Sequence, residues 1–140
     1  MIVLDTNIIS ETMRRAPNAA VVDWLDSQPA NDLYLCTPVL AEVYYGIARL
    51  DESTRKTNLL RSYRQIVAEV FEGHILPFDS PAAEAYGQLV AKRESEGNPI
   101  TVIDAMIAAI AQSNSAALAT RNTAHFIETG LTLINPFVAA

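Results

Sequence analysis

Met1-Ile2-Val3-Leu4-Asp5-Thr6-Asn7, the first seven residues, pass from aliphatic side chains to a carboxylate, a hydroxyl and an amide. The aliphatic run Ile2-Val3-Leu4 predicts a short buried strand. In an open parallel sheet ligands bind in the crevice beyond the carboxyl ends of the strands, so an acid at that end is a candidate functional group. Asp, Thr and Asn also accept from the free N–H groups of a helix N-terminus, and Asp5 or Thr6 suits the cap of a helix beginning near Ile8. The seven residues leave both roles open. What separates them is whether other acids converge on the same place.

Working outward, Ile8 to Met13 reads as a short helix closed by Arg14-Arg15-Ala16-Pro17. Asn18 caps a second helix, in which Val21, Val22, Trp24 and Leu25 form one apolar stripe before Pro29. Asp32 to Cys36 predicts a second strand, and Thr37-Pro38, a hydroxyl cap with proline in the first turn, opens a third helix. That helix carries Val39, Leu40, Val43, Tyr44, Ile47 and Leu50 on one face, with Glu42 at its edge. A polar turn from Asp51 leads into a long amphipathic helix with Leu59, Leu60, Tyr63, Ile66, Val67, Val70 and Phe71 on one side, basic residues on the other and Gly73 at its end.

His74 to Phe78 reads as a third strand, with His74 an edge residue. Asp79 or Ser80 caps a helix that buries Ala83, Tyr86, Leu89 and Val90. After Asn98-Pro99, Thr101 caps a helix from Val102 to about Ser113 that is apolar almost all round and so must be covered on most sides. Ala116 to Thr120 predicts a fourth strand, Arg121 to Phe126 a loop with a short helix after it, and Leu131 to Ile134 a last strand. Short apolar strands alternating with helices predict one α/β domain over residues 1–140, a parallel sheet of four to five strands with helices on both faces.

Half of the 140 residues are hydrophobic, enough for one proper core. Cys36 is the one cysteine, flanked by apolar Leu35, and is expected to be a buried thiol in a reducing cytoplasm. An acid at position 5 and the lack of a basic leader argue against a secretory signal. The longest uncharged stretch, Ala105 to Thr120, holds Gln112, Ser113, Asn114 and Ser115, which excludes a membrane span. A net charge of −6 argues against nucleic-acid binding by bulk charge. Divalent cations held by acids would invert the local field, however, and the ten Lys and Arg residues are unevenly placed, with Arg49, Arg55, Lys56, Arg61 and Arg64 close together.

Asp104 is the single charge of the apolar helix, with no other ionisable residue between Glu96 and Arg121. A carboxylate in such surroundings needs compensation. First-turn amides and the helix dipole supply some of it. A parallel topology would also bring Asp104 together with Asp5 and Glu42 beyond the sheet edge, and three acids there call for a hard divalent cation.

Four segments then carry a resemblance: Ile2-Val3-Leu4-Asp5-Thr6-Asn7, Ala41-Glu42-Val43-Tyr44-Tyr45-Gly46, Ile100 to Ala109 around Asp104, and Leu118-Ala119-Thr120-Arg121-Asn122-Thr123-Ala124-His125-Phe126. In this order they resemble the motifs of PIN-domain proteins, and the chain is similar to VapC-type toxins of toxin–antitoxin pairs, in their FitB-like branch. The resemblance implies a three-layer α/β/α fold and a ribonuclease dependent on Mg²⁺ or Mn²⁺. It also implies inhibition by a cognate antitoxin, operator DNA reached through that antitoxin, a homodimer and no membrane partner. It places metal coordination on Asp5, Glu42 and Asp104, with Thr6 and Thr120 orienting these acids. The fourth family acid falls where this chain has Asn122 and His125, so one ion is expected, with Asn122 a neutral ligand for a second. Arg121, Arg14 and Arg15 are candidate phosphate contacts, positioning RNA without reading its sequence. The dimer surface is expected near Tyr44, Tyr45 and the helix from Asn58 to Phe71.

Two other readings compete. An aspartyl-phosphate hydrolase with Asp5 as nucleophile resembles the haloacid-dehalogenase pattern, which expects a second aspartate at position 7, where this chain has Asn7. A catalytically weak binding module would act mainly through its partner and operator DNA.

Overall fold

Strand β1 (Ile2–Leu4) is the middle of a five-stranded sheet, and Val3 and Leu4 are shut off from solvent there. The other strands are β2 (Leu33–Cys36), β3 (Ile75–Leu76), β4 (Ala117–Ala119) and β5 (Leu133–Ile134). All neighbours run parallel, in the order β3-β2-β1-β4-β5. These are elements of a computed structural model that describes residues 1–138.

Six helices flank the sheet: α1 (Thr6–Thr12), α2 (Ala19–Ser27), α3 (Thr37–Ala48), α4 (Thr54–Gln65), α5 (Ser80–Ser95) and α6 (Val102–Ser113). The chain steps outward from β1 through β2 to β3, then crosses back to β4 and steps the other way. With right-handed crossovers, that reversal sends α1 to α4 to one face and α5 and α6 to the other, giving three layers. The order reverses between β1 and β4, so the crevice at their carboxyl ends is the topological switch point. Helix α6 explains its composition by its place: Ala105, Ile107, Ala108, Ala109, Ile110 and Ala111 are all fully buried. Among the described residues no helix is long and apolar enough to cross a membrane.

Several boundaries differ from the sequence reading, each for a local reason. Helix α1 begins at Thr6, two residues early, because Asp5 accepts from the Thr6 N–H at 2.8 Å and starts the helix at once. Asp32 lies in a 3₁₀ turn, Ala30–Asp32, ahead of β2. Thr37 is not a cap but the first residue of α3, and its hydroxyl accepts from the Phe78 N–H at 3.2 Å. The long helix ends at Gln65 and continues as a π turn, Ile66–Val70, closed by Phe71 N–H to Ile66 O at 3.2 Å. The short helix after β4 is a 3₁₀ turn inside the loop, Thr123–Phe126, not beyond it.

Tyr63 is fully buried, edge-on to Tyr44 at 4.9 Å, and among the described residues its Oη has no hydrogen-bond partner. A buried hydroxyl left unsatisfied costs about 1–3 kcal/mol. Tyr63→Phe is therefore expected to stabilise the protein, by about 1 kcal/mol after loss of some packing. A urea unfolding midpoint at or below that of the parent would contradict this account.

Candidate functional site

Asp5 leaves the end of β1, and its backbone N–H still donates to Ala119 O of β4 at 2.9 Å. The side chain is 4 % exposed, so its carboxylate has lost most of its water. Three donors replace it. Oδ1 accepts from Thr6 N, and Oδ2 accepts from Thr120 Oγ1 at 2.7 Å and from Asn7 Nδ2 at 3.3 Å. The cap role and the site role, alternatives in the sequence, are thus filled by the same carboxyl group.

Thr120 stands one residue beyond β4 and is wholly buried. Besides donating to Asp5, its Oγ1 accepts from Asn122 N at 3.0 Å and from Asn7 Nδ2 at 3.4 Å. Thr6 Oγ1 donates to Glu42 Oε1, which ties α1 to α3. Asn7 is a residue of the site to which the sequence assigns no role. It also holds the far wall, since its Oδ1 accepts from Arg121 N at 3.1 Å.

Asp104 lies in the first turn of α6, where Thr101 Oγ1 accepts from its N–H at 3.4 Å. The sequence shows no second charge near it, yet His125 Nδ1 stands 3.3 Å from its Oδ2. No spacing signal points to this pair, because the two residues sit on separate elements. Asp104 and Glu42 are both close enough to Asp5 to act on it. Burial pushes the Asp5 carboxyl above the usual carboxylate range, and repulsion from Asp104 and Glu42 adds to it, against the hydrogen bonds from Thr120 and Thr6.

The structure therefore gathers Asp5, Thr6, Glu42 and Thr120 into one hydrogen-bonded network, with Asp104 near enough to act on Asp5. The arrangement is not a closed cage. Among the described residues no three His, Cys, Asp or Glu side chains stand together as a ready metal site. Each acid instead turns to its own donor: Asp5 to Thr120, Glu42 to Thr6, Asp104 to His125. Hydrogen bonding to separate donors lowers the repulsion between these like charges. The donor set is all carboxylate, hydroxyl and amide oxygen on the Asp5 side, which suits Mg²⁺ or Mn²⁺ and not a softer ion.

The proposed basic contacts are partly engaged. Arg14 pairs with buried Glu11 at 3.3 Å, and Glu11 also accepts from Asn18 N at 2.9 Å. Glu11 is thereby a clasp between α1 and the cap of α2, which sequence reading missed. The Arg121 guanidinium lies 4.7 Å over the Phe137 ring, and Arg15 is exposed. Asn122 is also exposed. Cys36 is buried, as expected, which pushes its thiol up to about 12. His74 stacks on Tyr34 at 4.4 Å and bonds Leu33 O at 3.1 Å, the edge-strand role expected of it. Tyr44 is not uncovered: it packs on Tyr63, and the exposed aromatic is Tyr45.

The raised Asp5 value has a sign that can be tested without metal. The folded state binds a proton to Asp5 more tightly than the unfolded chain does. Stability of the metal-free protein therefore falls as pH rises from the ordinary value of 3.8 through the raised one, and stays lower above it. Glu42→Gln keeps an acceptor for Thr6 and removes one repulsion. It is expected to raise the melting temperature of metal-free protein at neutral pH by about 2–4 °C, the shift that corresponds to about 1 kcal/mol. A lower melting temperature would show that the acids do not oppose one another.

Comparison with known proteins gives consistent matches. The family model described as PIN domain matches residues 2–130. Toxin FitB of Neisseria gonorrhoeae is 40% identical over 137 residues, covering 98% of this chain and 99% of that one. The VapC ribonuclease Y4jK of Sinorhizobium fredii is 38% identical over 140 residues, all of both chains. Among solved structures, that of FitAB bound to the IR36 DNA fragment superposes with a TM-score of 0.94 at 39% identity, covering 100% of this chain and 98% of that one.

Proposed function

The chain belongs to the PIN-domain family, and on that premise we propose that it is a divalent-metal-dependent endoribonuclease and the toxin of a toxin–antitoxin pair. The observation that carries the reading is Asp5: a buried carboxyl group at the switch point of the sheet, pushed up by burial and by two further acids from α3 and α6. Three acids converging on a sheet's ligand-binding edge are poor for stability and suited to a cation.

Asp5, Glu42 and Asp104 would hold one Mg²⁺ or Mn²⁺, with Asn122 offering a neutral oxygen for a second. When bound, such an ion supplies Lewis acidity to a phosphodiester and an activated water. Thr120 and Thr6 fix the directions of the Asp5 and Glu42 carboxylates, the usual work of outer partners around a metal. Arg15 is free to meet phosphates along the RNA, and Arg121 and Arg14 can do so from their places over Phe137 and beside Glu11. The groove beside Glu42, about 260 Å³ and walled by Met13, Arg14, Ile47, Arg55 and Leu59, would admit a segment of the antitoxin next to the site. The same reading carries inhibition by the antitoxin, a cytoplasmic setting and DNA reached through the antitoxin, and it puts the pairing of two copies near Tyr45 and Val70, which are both exposed.

The test is cleavage of total RNA by the purified chain with Mg²⁺ or Mn²⁺ and with EDTA. Cleavage that EDTA stops and added Mg²⁺ restores is the expected result. Intact RNA under every divalent cation tried would end the ribonuclease reading.

A further inference from the structure

Arg93, near the end of α5, takes no part in the network around Asp5, yet it is only 3 % exposed. Buried charges are ordinarily paired. Among the described residues no carboxylate lies within ion-pair reach of Arg93. Backbone carbonyls hold it instead: Nε donates to Asn98 O at 2.7 Å, and Nη1 donates to His125 O at 3.3 Å and Ile127 O at 3.1 Å. Three of five N–H groups are used, which leaves the two on Nη2. Tyr63 Oη is the one fully buried side-chain polar atom that lacks a partner among the described residues, so Nη2 must keep an opening to solvent. Arg93 lines a cavity of about 240 Å³ together with Asn98, Ile100, Asp104, Ala124 and His125, the place beside it for such an opening.

We propose that this cavity receives an unpaired nucleobase of the RNA, from a nucleotide beside the scissile phosphodiester, with Arg93 Nη2 donating to an acceptor on the base edge. The assignment rests on the ribonuclease reading and gives that site a specificity pocket. The cavity has room for about eight waters, more than a tetrahedral oxyanion fills and enough for a flat heterocycle. In the metal-free protein Asp104 in its wall repels a phosphate and tolerates a neutral base. Ile100 and Ala124 give a ring apolar contact, and the His125 imidazole, more than half exposed, stands where it can stack. Unpaired RNA bases are recognised by this combination of stacking and edge hydrogen bonds. Arginine donors favour the O6 and N7 acceptors of guanine, which is the base expected to fit first.

The experiment is an NMR titration of the full chain, without metal, by the four nucleoside 5′-monophosphates and by ribose 5-phosphate. Guanosine monophosphate is expected to shift the resonances of Thr101, Ala124 and His125, and ribose 5-phosphate to leave them in place. Ala124→Leu fills the cavity without removing a hydrogen bond, and should weaken guanosine monophosphate binding about tenfold or more. Arg93→Lys should weaken it as well, but the leucine variant keeps the test valid if loss of the guanidinium unfolds the protein. Equal shifts with ribose 5-phosphate would make the cavity a phosphate site and overturn the proposal. So would no shift with any nucleotide, or undiminished binding in Ala124→Leu. In a second arm, RNA made abasic next to the cut is expected to lose about tenfold in cleavage by the parent and nothing further in Ala124→Leu. Nucleotide binding at the cavity with no RNA cut under any cation would bring down the ribonuclease reading and leave the base pocket standing.

Discussion

Asp5→Asn is expected to reduce RNA cleavage by roughly 10²–10³-fold, the scale on which removal of one preorganised electrostatic group acts in an active site. The substitution keeps Oδ1 as acceptor for the Thr6 N–H, so the start of α1 survives. It removes the charge, and it sets an amide where Thr120 Oγ1 and Asn7 Nδ2 both donate. The Thr120 hydroxyl can turn to accept, which limits the structural cost, and relief of repulsion from Asp104 and Glu42 offsets part of the rest. A variant with a cooperative melt and no cleavage, whose expression no longer arrests growth, is the expected outcome. Undiminished growth arrest would mean that the chain acts through its partner and operator DNA as a binding module, and that its acids are a relic.

Thr120→Val should weaken the apparent affinity for Mg²⁺ or the cleavage rate by about 10–100-fold, as loss of an outer partner of a metal ligand commonly does. Valine fills the same space, but the site loses three hydrogen bonds at once: to Asp5, from Asn7 and from Asn122 N. The Thr120 bond is the strongest influence holding the Asp5 carboxyl down, so without it the carboxyl rises further and is harder to ionise for a cation. Leaving the Asn122 N–H without its partner also costs about 1–3 kcal/mol where it stays buried. Cleavage measured across a Mg²⁺ series separates affinity from rate, and Thr120→Ser should recover most of both. Parent-like behaviour of the valine variant would show that Asp5 needs no hydroxyl to aim it.

The parts of this molecule that the sequence makes legible are those with a period or a cap. The Ile2-Val3-Leu4 run, the apolar α6 and the capping residues Asn18, Asp79 and Thr101 all stand close to where pattern places them. The acids Asp5, Glu42 and Asp104 are legible too, since each falls next to the end of a strand or on the edge of a helix. Illegible are polar contacts between residues far apart in the chain. Arg93 reads as one more charge in Lys92-Arg93-Glu94, yet it is buried on three carbonyls. His125 reads as a missing acid, yet it stands beside Asp104. The π turn Ile66–Val70 also escapes, because its apolar residues suit an α-helix equally well and only the Phe71 to Ile66 bond distinguishes the two.

The strand order has a consequence for how the polypeptide comes off the ribosome. Asp5 is made 115 residues ahead of its partner Thr120, and β1 is enclosed only when β4 arrives beside it. Until then the nascent chain carries a carboxylate with no Thr120 hydroxyl to orient it. Truncation anywhere before β4 therefore yields a fragment in which the Asp5 carboxylate lacks its buried partner and β1 lacks a neighbour.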